Sequence, residues 1–285
     1  MSVEIGKFLF VGGGAMGEAL LAGFVSAGLL RPQQISVVEP DGDRRIRLVD
    51  TYGVEGLEAL TPVVLHPGDV CLLAVKPQVV GEVLPQLALR LNGALLLSIA
   101  AGVTLEYLEG ALPDDTPVVR VMPNTPAMVR VGMALLSAGQ RVEPAHMRIV
   151  VQLFESVGRA AVVPEELQNA GAAISGCGPA YFALVIDALS RAGVAQGLPR
   201  ALAQELAAQT AAGTAKLLLD SGQHPEVLID AVASPGGTTI RALAELESGG
   251  VRTAFFEAVE AAVWRSEELE ADVDSDDEYD EYDEE

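Results

Sequence analysis

Lys7–Leu30 reads KFLFVGGGAMGEALLAGFVSAGLL. A short apolar run, Phe8 to Val11, enters a cluster of glycines, and a helix-like stretch opens directly behind them. Gly12, Gly14 and Gly17 stand in the G-x-G-x-x-G spacing by which a strand–turn–helix unit approaches a dinucleotide pyrophosphate. Gly12 permits the tight turn, Gly14 lets backbone come close to the anion, and Gly17 allows close helix–strand packing. The new helix aims its first N–H groups at the phosphates. A glycine turn that binds nothing would look similar in isolation, but here strand, helix and second strand follow in the order the binding unit requires.

The second strand, QISVVE, ends in Glu39, whose carboxylate is placed to accept from adenosine ribose hydroxyls and to repel a 2′-phosphate. That favours NADH. Arg44, Arg45 and Arg47 follow closely and offer a phosphate charge-assisted contacts, or else only balance acids on an exposed helix face, so NADPH stays open. Beyond them PVVLH, VCLLAV, GALLLSIA, PVVRVM, VGMALLSA and RAAVVP read as strands bounded by Gly, Pro or Asp. Continuously apolar strands alternating with helices predict a largely parallel sheet covered on both faces. The fold class expected for residues 1–164 is therefore α/β, a Rossmann dinucleotide-binding domain.

After Pro164 the strand-like runs stop and Ala- and Leu-rich stretches with apolar residues three and four apart take over. Residues 165–271 read as all-helical. Such apolar helices in so short a segment predict pairing with a second copy of the chain, against a compact monomeric bundle as the alternative. Residues 272–285 hold ten acids and no base, and are expected to be disordered and solvated.

The chain of 285 residues carries a formal charge of −22, which disfavours nucleic acid and anionic membranes as partners. Cys71 and Cys177 have no disulfide or zinc spacing, and the three histidines lack ligand spacing, so no metal is expected. The early apolar run stops too soon for a signal peptide, and the longest near-apolar stretches, such as Gly93 to Val103, fall short of the roughly 18–20 residues that cross a bilayer. A soluble cytoplasmic protein is the expectation.

The most suggestive stretch of the helical half is SPGGTTIRALAELE, Ser234 to Glu247. A Pro-Gly-Gly turn that meets a helix start forms a cradle of N–H groups suited to a carboxylate, and a threonine hydroxyl beside it can serve a ring nitrogen. Plain helix capping by Thr238 or Thr239 is the competing explanation. A second turn, SGCGPAYF from Ser175, opens the first long helix and is placed to pack under a nicotinamide; its Cys177 reads as a small buried thiol and not a nucleophile.

RVMPNTPAMVRVG (Arg120 to Gly132), LLAVKPQ, SIAAGVTLEYLE, SGCGPAY and SPGGTTIRALAELESGGVR, in that arrangement between about Lys7 and Leu269, closely resemble the pyrroline-5-carboxylate reductases. The resemblance implies reduction of 1-pyrroline-5-carboxylate to L-proline by NAD(P)H, with hydride delivered to the imine carbon. It implies cofactor contacts from Val11, Gly12, Gly13, Gly14, Ala15, Met16 and Gly17, with Glu39 at the ribose and Thr61 in the adenosine pocket. Ala74, Val75, Lys76, Pro77, Ala100, Ala101 and Gly102 would line the cofactor from two strand ends, and Asn124 would lie near the nicotinamide.

On the substrate side the same resemblance implies Glu165, Ser234, Gly236, Gly237, Thr238 and Thr239, with the carboxylate on the backbone after the Pro-Gly-Gly turn and Thr239 as the catalytic contact to the ring nitrogen. It also implies a homodimer through the helical domain, assembled further into rings of five dimers. Cys177 stands where the family usually has Ser, Asn169-Ala170-Gly171 where it usually has Asp-Ala-Val, and Thr61 near a frequent Asn. The competing functions are a β-hydroxyacid dehydrogenase, which needs a lysine with an asparagine one turn away where this chain has Lys216 and Asp220, and a dinucleotide sensor without turnover.

Overall fold

The computed structural model describes residues 5–280, with side chains to Val273. In chain order the elements are β1 (Phe8–Val11), α1 (Ala15–Ser26), β2 (Ile35–Val38), α2 (Gly42–Tyr52), β3 (Glu55–Leu57), β4 (Val70–Leu73), α3 (Val80–Leu91), β5 (Leu95–Ser98), α4 (Leu105–Gly110), β6 (Val118–Met122), β7 (Gly132–Ala138), α5 (Pro144–Glu155), β8 (Gly158–Val162), α6 (Gln168–Ser175), α7 (Gly178–Ala195), α8 (Arg200–Ser221), α9 (Pro225–Val232), α10 (Thr238–Ser248) and α11 (Val251–Asp280). They form two compact units, one running to Gly176 and resuming at Ala262, the other Cys177–Ala261.

The first unit is built on one eight-stranded sheet, ordered β3-β2-β1-β4-β5-β6-β7-β8 and parallel except for the β6–β7 pair. Its strands are apolar throughout because alternate side chains serve different cores. Phe8 and Phe10 of β1, with Val70 and Leu72 of β4, meet α1 and α5 on one face, where Phe24 and Phe154 stack edge-on at 5.8 Å. Leu9, Val11, Cys71 and Leu73 point the other way into α3 and α4. Burial in that second core pushes the Cys71 thiol far above its ordinary range, so it stays protonated and apolar in behaviour.

One expected strand is absent. Val63 and Leu65 of PVVLH do pack into the core, but the Leu65 N–H donates to the Arg90 carbonyl and its own carbonyl accepts from Asn92. Those partners close the end of α3, so the segment remains irregular and Glu55–Leu57 forms the sheet edge instead.

The first compact unit continues past Pro164 as far as Gly176. The reason is that α6 packs on the sheet, where Gln168 donates to the Ser137 hydroxyl of β7 and Gly171 lies so close to Leu135 that a Cβ would come within 2.3 Å of it.

The second unit is helical, as its composition predicts. Its buried residues are Gly178, Ser190, Ala203 and Ala207, small groups that bring α7 and α8 together. Large apolar side chains stay exposed, among them Phe182, Leu184, Leu189, Leu206 and Phe256.

By length and composition alone Glu165–Ala195 is long and apolar enough to cross a bilayer, longer than the sequence expectation allows. The stretch is divided into α6 and α7 around Cys177, and it carries the exposed Asp187–Arg191 ion pair.

The acidic segment also departs from expectation. The helix α11 continues through Asp272 to Asp280, with Arg265 placed 3.9 Å from the Asp272 carboxylate, while 281–285 lie outside the described residues. Arg265, two turns before Asp272, offsets part of the repulsion there.

Candidate functional site

The glycine loop sits at the carboxyl end of β1, where the sheet order reverses between β1 and β4; ligands of open α/β sheets bind in that crevice. Gly12 has φ of +100°, and a Cβ there would stand 2.6 Å from the Ala74 carbonyl oxygen. Only glycine fits. A Cβ on Gly17 would stand 2.7 Å from the Gly12 carbonyl oxygen, so α1 seats directly on the loop. Gly14 is the N-cap of α1, makes no side-chain cap and has open space where a Cβ would point. A bare helix start beside an open glycine is the cradle that a pyrophosphate requires.

Glu39 closes the loop from the side. Buried at the end of β2, it accepts the Gly13 N–H at 2.9 Å and Arg44 Nη1 at 3.2 Å on one oxygen, and the Asp41 N–H at 3.0 Å on the other. Arg45 donates to the Glu39 carbonyl and Arg47 pairs with Glu18. The three arginines are thus engaged with the protein's own acceptors, as a charge-balancing face would be. Asp41 caps α2 by accepting the Arg44 N–H, which holds its carboxyl below the usual range.

The neighbouring strand ends are stitched to the same crevice. The Ala74 N–H donates to the Val11 carbonyl, which brings Ala74–Pro77 beside the glycine loop, and the Ile99 N–H donates to that of Leu73, which sets Ala100–Gly102 next to the end of β4. Lys76 is exposed, and Thr61 lies exposed in the turn after Leu60. Asn124 is buried: its Oδ1 accepts the Met133 N–H and its Nδ2 donates to the Ser175 carbonyl, both at 2.8 Å. The residue pins the turn after β6 to α6.

Glu165 also belongs to the first unit. One of its oxygens accepts the Leu105 N–H at 2.7 Å and Arg120 Nη1 at 2.9 Å. The buried Arg120 reaches Glu270 with its other nitrogen at 2.7 Å, and Asn169 donates to the second Glu270 oxygen at 2.8 Å. Arg120, Asn169 and Glu270 are not among the residues the sequence singles out as functional groups, although an arginine inside the apolar run VVRVM signals that acids must meet it.

The other substrate-side candidates form the start of α10 in the second unit. Gly236 has φ of +69°, Gly237 is the N-cap, and its N–H donates to the Ser234 carbonyl at 3.0 Å. No side chain caps this helix. Thr238 and Thr239 occupy its first two positions, so the capping explanation for them fails and the first N–H groups of the helix have no side-chain acceptor. In the same unit Cys177 is exposed, a correction to the buried thiol expected: it precedes α7, in hydrogen-bond contact with the Tyr181 hydroxyl, whose pKa is raised by burial and then by that contact.

Comparison with known proteins agrees with this geometry. A family model described as pyrroline-5-carboxylate reductase dimerisation matches residues 165–269, and one described as NADP oxidoreductase coenzyme F420-dependent matches residues 7–102. The pyrroline-5-carboxylate reductase of Synechocystis sp. is 45% identical over 269 residues, covering 94% of this chain and 99% of its own. A solved pyrroline-5-carboxylate reductase from Coxiella burnetii superposes with a TM-score of 0.87 at 34% identity, covering 93% of this chain and 99% of its own. The Plasmodium falciparum pyrroline carboxylate reductase, solved with NADP bound, gives 0.85 at 31% identity, covering 95% of this chain and 100% of its own. A Rossmann-type unit with a bare glycine cradle, a helical dimerisation domain and relatives of this identity over nearly the whole chain place the protein in the pyrroline-5-carboxylate reductase family.

Proposed function

We propose that this chain performs its family's reaction, the NAD(P)H-dependent reduction of 1-pyrroline-5-carboxylate to L-proline, with its labour divided between the two helix starts. The observation that carries the proposal is the uncapped start of α10, where two threonines and a glycine N-cap face no capping duty. The N–H groups after Gly236 receive the substrate carboxylate, assisted by Ser234 and Thr238. Thr239 contacts the ring nitrogen and orients the imine, holding its proton in place. Val11–Gly17 bind the pyrophosphate, while Ala74–Pro77, Ala100–Gly102 and Asn124 fix where the nicotinamide lies. The dinucleotide supplies the hydride that adds to C5 of the ring. Rate then comes chiefly from holding two reactants in line.

NADH is the donor that Glu39 favours, because its carboxylate suits free ribose hydroxyls and opposes a 2′-phosphate. Arg44, half-exposed against Glu39, is the group that would serve NADPH. The exposed apolar side chains of α7 and α8 are covered by a second copy in a dimer, which the family also assembles into rings of five. We place the enzyme in the cytoplasm.

Nicotinamide absorbance followed with 1-pyrroline-5-carboxylate, NADH and NADPH in parallel tests the reading. Oxidation of either dinucleotide that depends on the substrate is expected, faster with NADH. Oxidation only with the keto or semialdehyde form of a β-hydroxyacid, or no oxidation with any of these acceptors, would overturn it.

A further inference from the structure

The loop Ile99–Thr104, which the proposed function places against the dinucleotide, is held on three sides by neighbours of one residue, Arg120. At its start β5 lies beside β6 with Ser98 in register with Arg120. At its end the first residue of α4, Leu105, donates its N–H to Glu165, and that carboxylate is in turn bound by Arg120. In the middle Gly102, at φ of +74°, lies against α11 so closely that a Cβ would stand 3.1 Å from the Leu269 Cβ. The next residue, Glu270, is the second acid on Arg120.

Arg120 is buried with its side chain 9% exposed, so a partner left alone there would be a desolvated charge. Two carboxylates share its one positive charge, and their remaining demand for donors is met by the Leu105 N–H and by the Asn169 amide. An aspartate at position 169 would set a third carboxylate against Glu270 where a donor is needed.

We propose that Glu270 is a positioning residue for dinucleotide binding. Through Arg120 and Asn169 it fixes the stretch of α11 around Leu269, so that Leu269 seats the Ala100–Gly102 loop against the cofactor crevice. The inference rests on the reading that this loop lines the dinucleotide; the substrate cradle on α10 takes no part in it.

The test uses the full chain, with the dissociation constant for NADH read from nicotinamide fluorescence in the absence of substrate, beside steady-state constants and the melting temperature. Glu270→Ala should weaken NADH binding about tenfold and leave KM for 1-pyrroline-5-carboxylate within about twofold, since the displacement is confined to one strand-end loop. Asn169→Asp should weaken it in the same sense. Combining Asn169→Asp with Glu270→Gln should restore it, because the direction of that hydrogen bond is then reversed: the new amide on α11 donates to the new carboxylate on α6, while its oxygen still accepts from Arg120.

Unchanged NADH affinity in a folded Glu270→Ala protein would overturn the proposal, as would an equal loss toward both substrates that follows the melting temperature. If Glu270→Ala does not fold, the Asn169→Asp pair decides, and failure of the double variant to recover is the overturning result. A wild-type chain that bound no dinucleotide would instead remove the reading on which the proposal rests, and the proposal with it.

Discussion

The starts of α1 and α10 are built alike and live differently. Each begins on a glycine N-cap in extended backbone, Gly14 at φ −65° and ψ 179°, Gly237 at φ −74° and ψ 178°, and neither has a side-chain cap. Each is preceded by a glycine at positive φ, Gly12 or Gly236. Around Gly12 the protein leaves no room: its N–H is taken by the Val38 carbonyl, Glu39 holds the next residue, and Ala74 stands against the missing Cβ. Around Gly236 a Cβ would meet nothing within 4 Å. One anion cradle is completed by its own unit. The other is open within its unit, beside helices whose apolar faces are likewise uncovered.

Substitution at Gly12 should have the largest effect. Gly12→Val needs both an unfavourable backbone conformation and movement of the β4 end, at a cost of about 3 kcal/mol in stability, with dinucleotide binding lost. Thermal unfolding and nicotinamide fluorescence check it; a variant that retained its melting temperature would break the contrast with α10. Next comes Thr239→Ala, expected to lower kcat/KM for 1-pyrroline-5-carboxylate by about tenfold to a hundredfold while the NADH dissociation constant stays put. Unchanged steady-state kinetics would remove Thr239 from the reaction.

Gly236→Ala sharpens the comparison directly. With open space around it, only the positive φ is penalised, so stability should fall by about 1 kcal/mol while KM for the substrate rises. A loss as large as that at Gly12 would show the second cradle to be as enclosed as the first.

The same contrast explains what the sequence revealed. The β1–loop–α1 unit is legible because its glycines, strand and helix lie within two dozen residues and each spacing has one steric reason. The SPGGTT turn is legible for the same reason, and the structure added only that its threonines do not cap. Arg120 escaped notice because its acids stand 45 and 150 residues away in the chain. PVVLH is not legible, since apolar composition cannot tell a strand from an irregular segment whose backbone bonds close a helix end. Cys177 was expected to be buried on side-chain type alone, whereas its exposure depends on where α7 begins.

The smallest effect belongs to a third kind of helix start. Where α1 and α10 are bare, α2 is capped by Asp41, whose side chain accepts the Arg44 N–H at 2.9 Å. That hydrogen bond, helped by the nearby arginine charges, lowers the carboxyl's pKa below its ordinary 3.8. A lowered folded-state value means that the ionised cap contributes stability above the unfolded pKa, and that the contribution disappears as pH falls through the folded one. Asp41→Asn keeps an accepting oxygen but not the charge. Its melting temperature should therefore lie slightly below that of the wild type near neutral pH, and the gap should close as the medium is acidified below pH 3.8. Because Asp41 is open to solvent, added salt should shrink the gap as well. A gap independent of pH would mean that the cap acts through geometry alone, leaving charge at helix starts to matter only where the protein has left them bare.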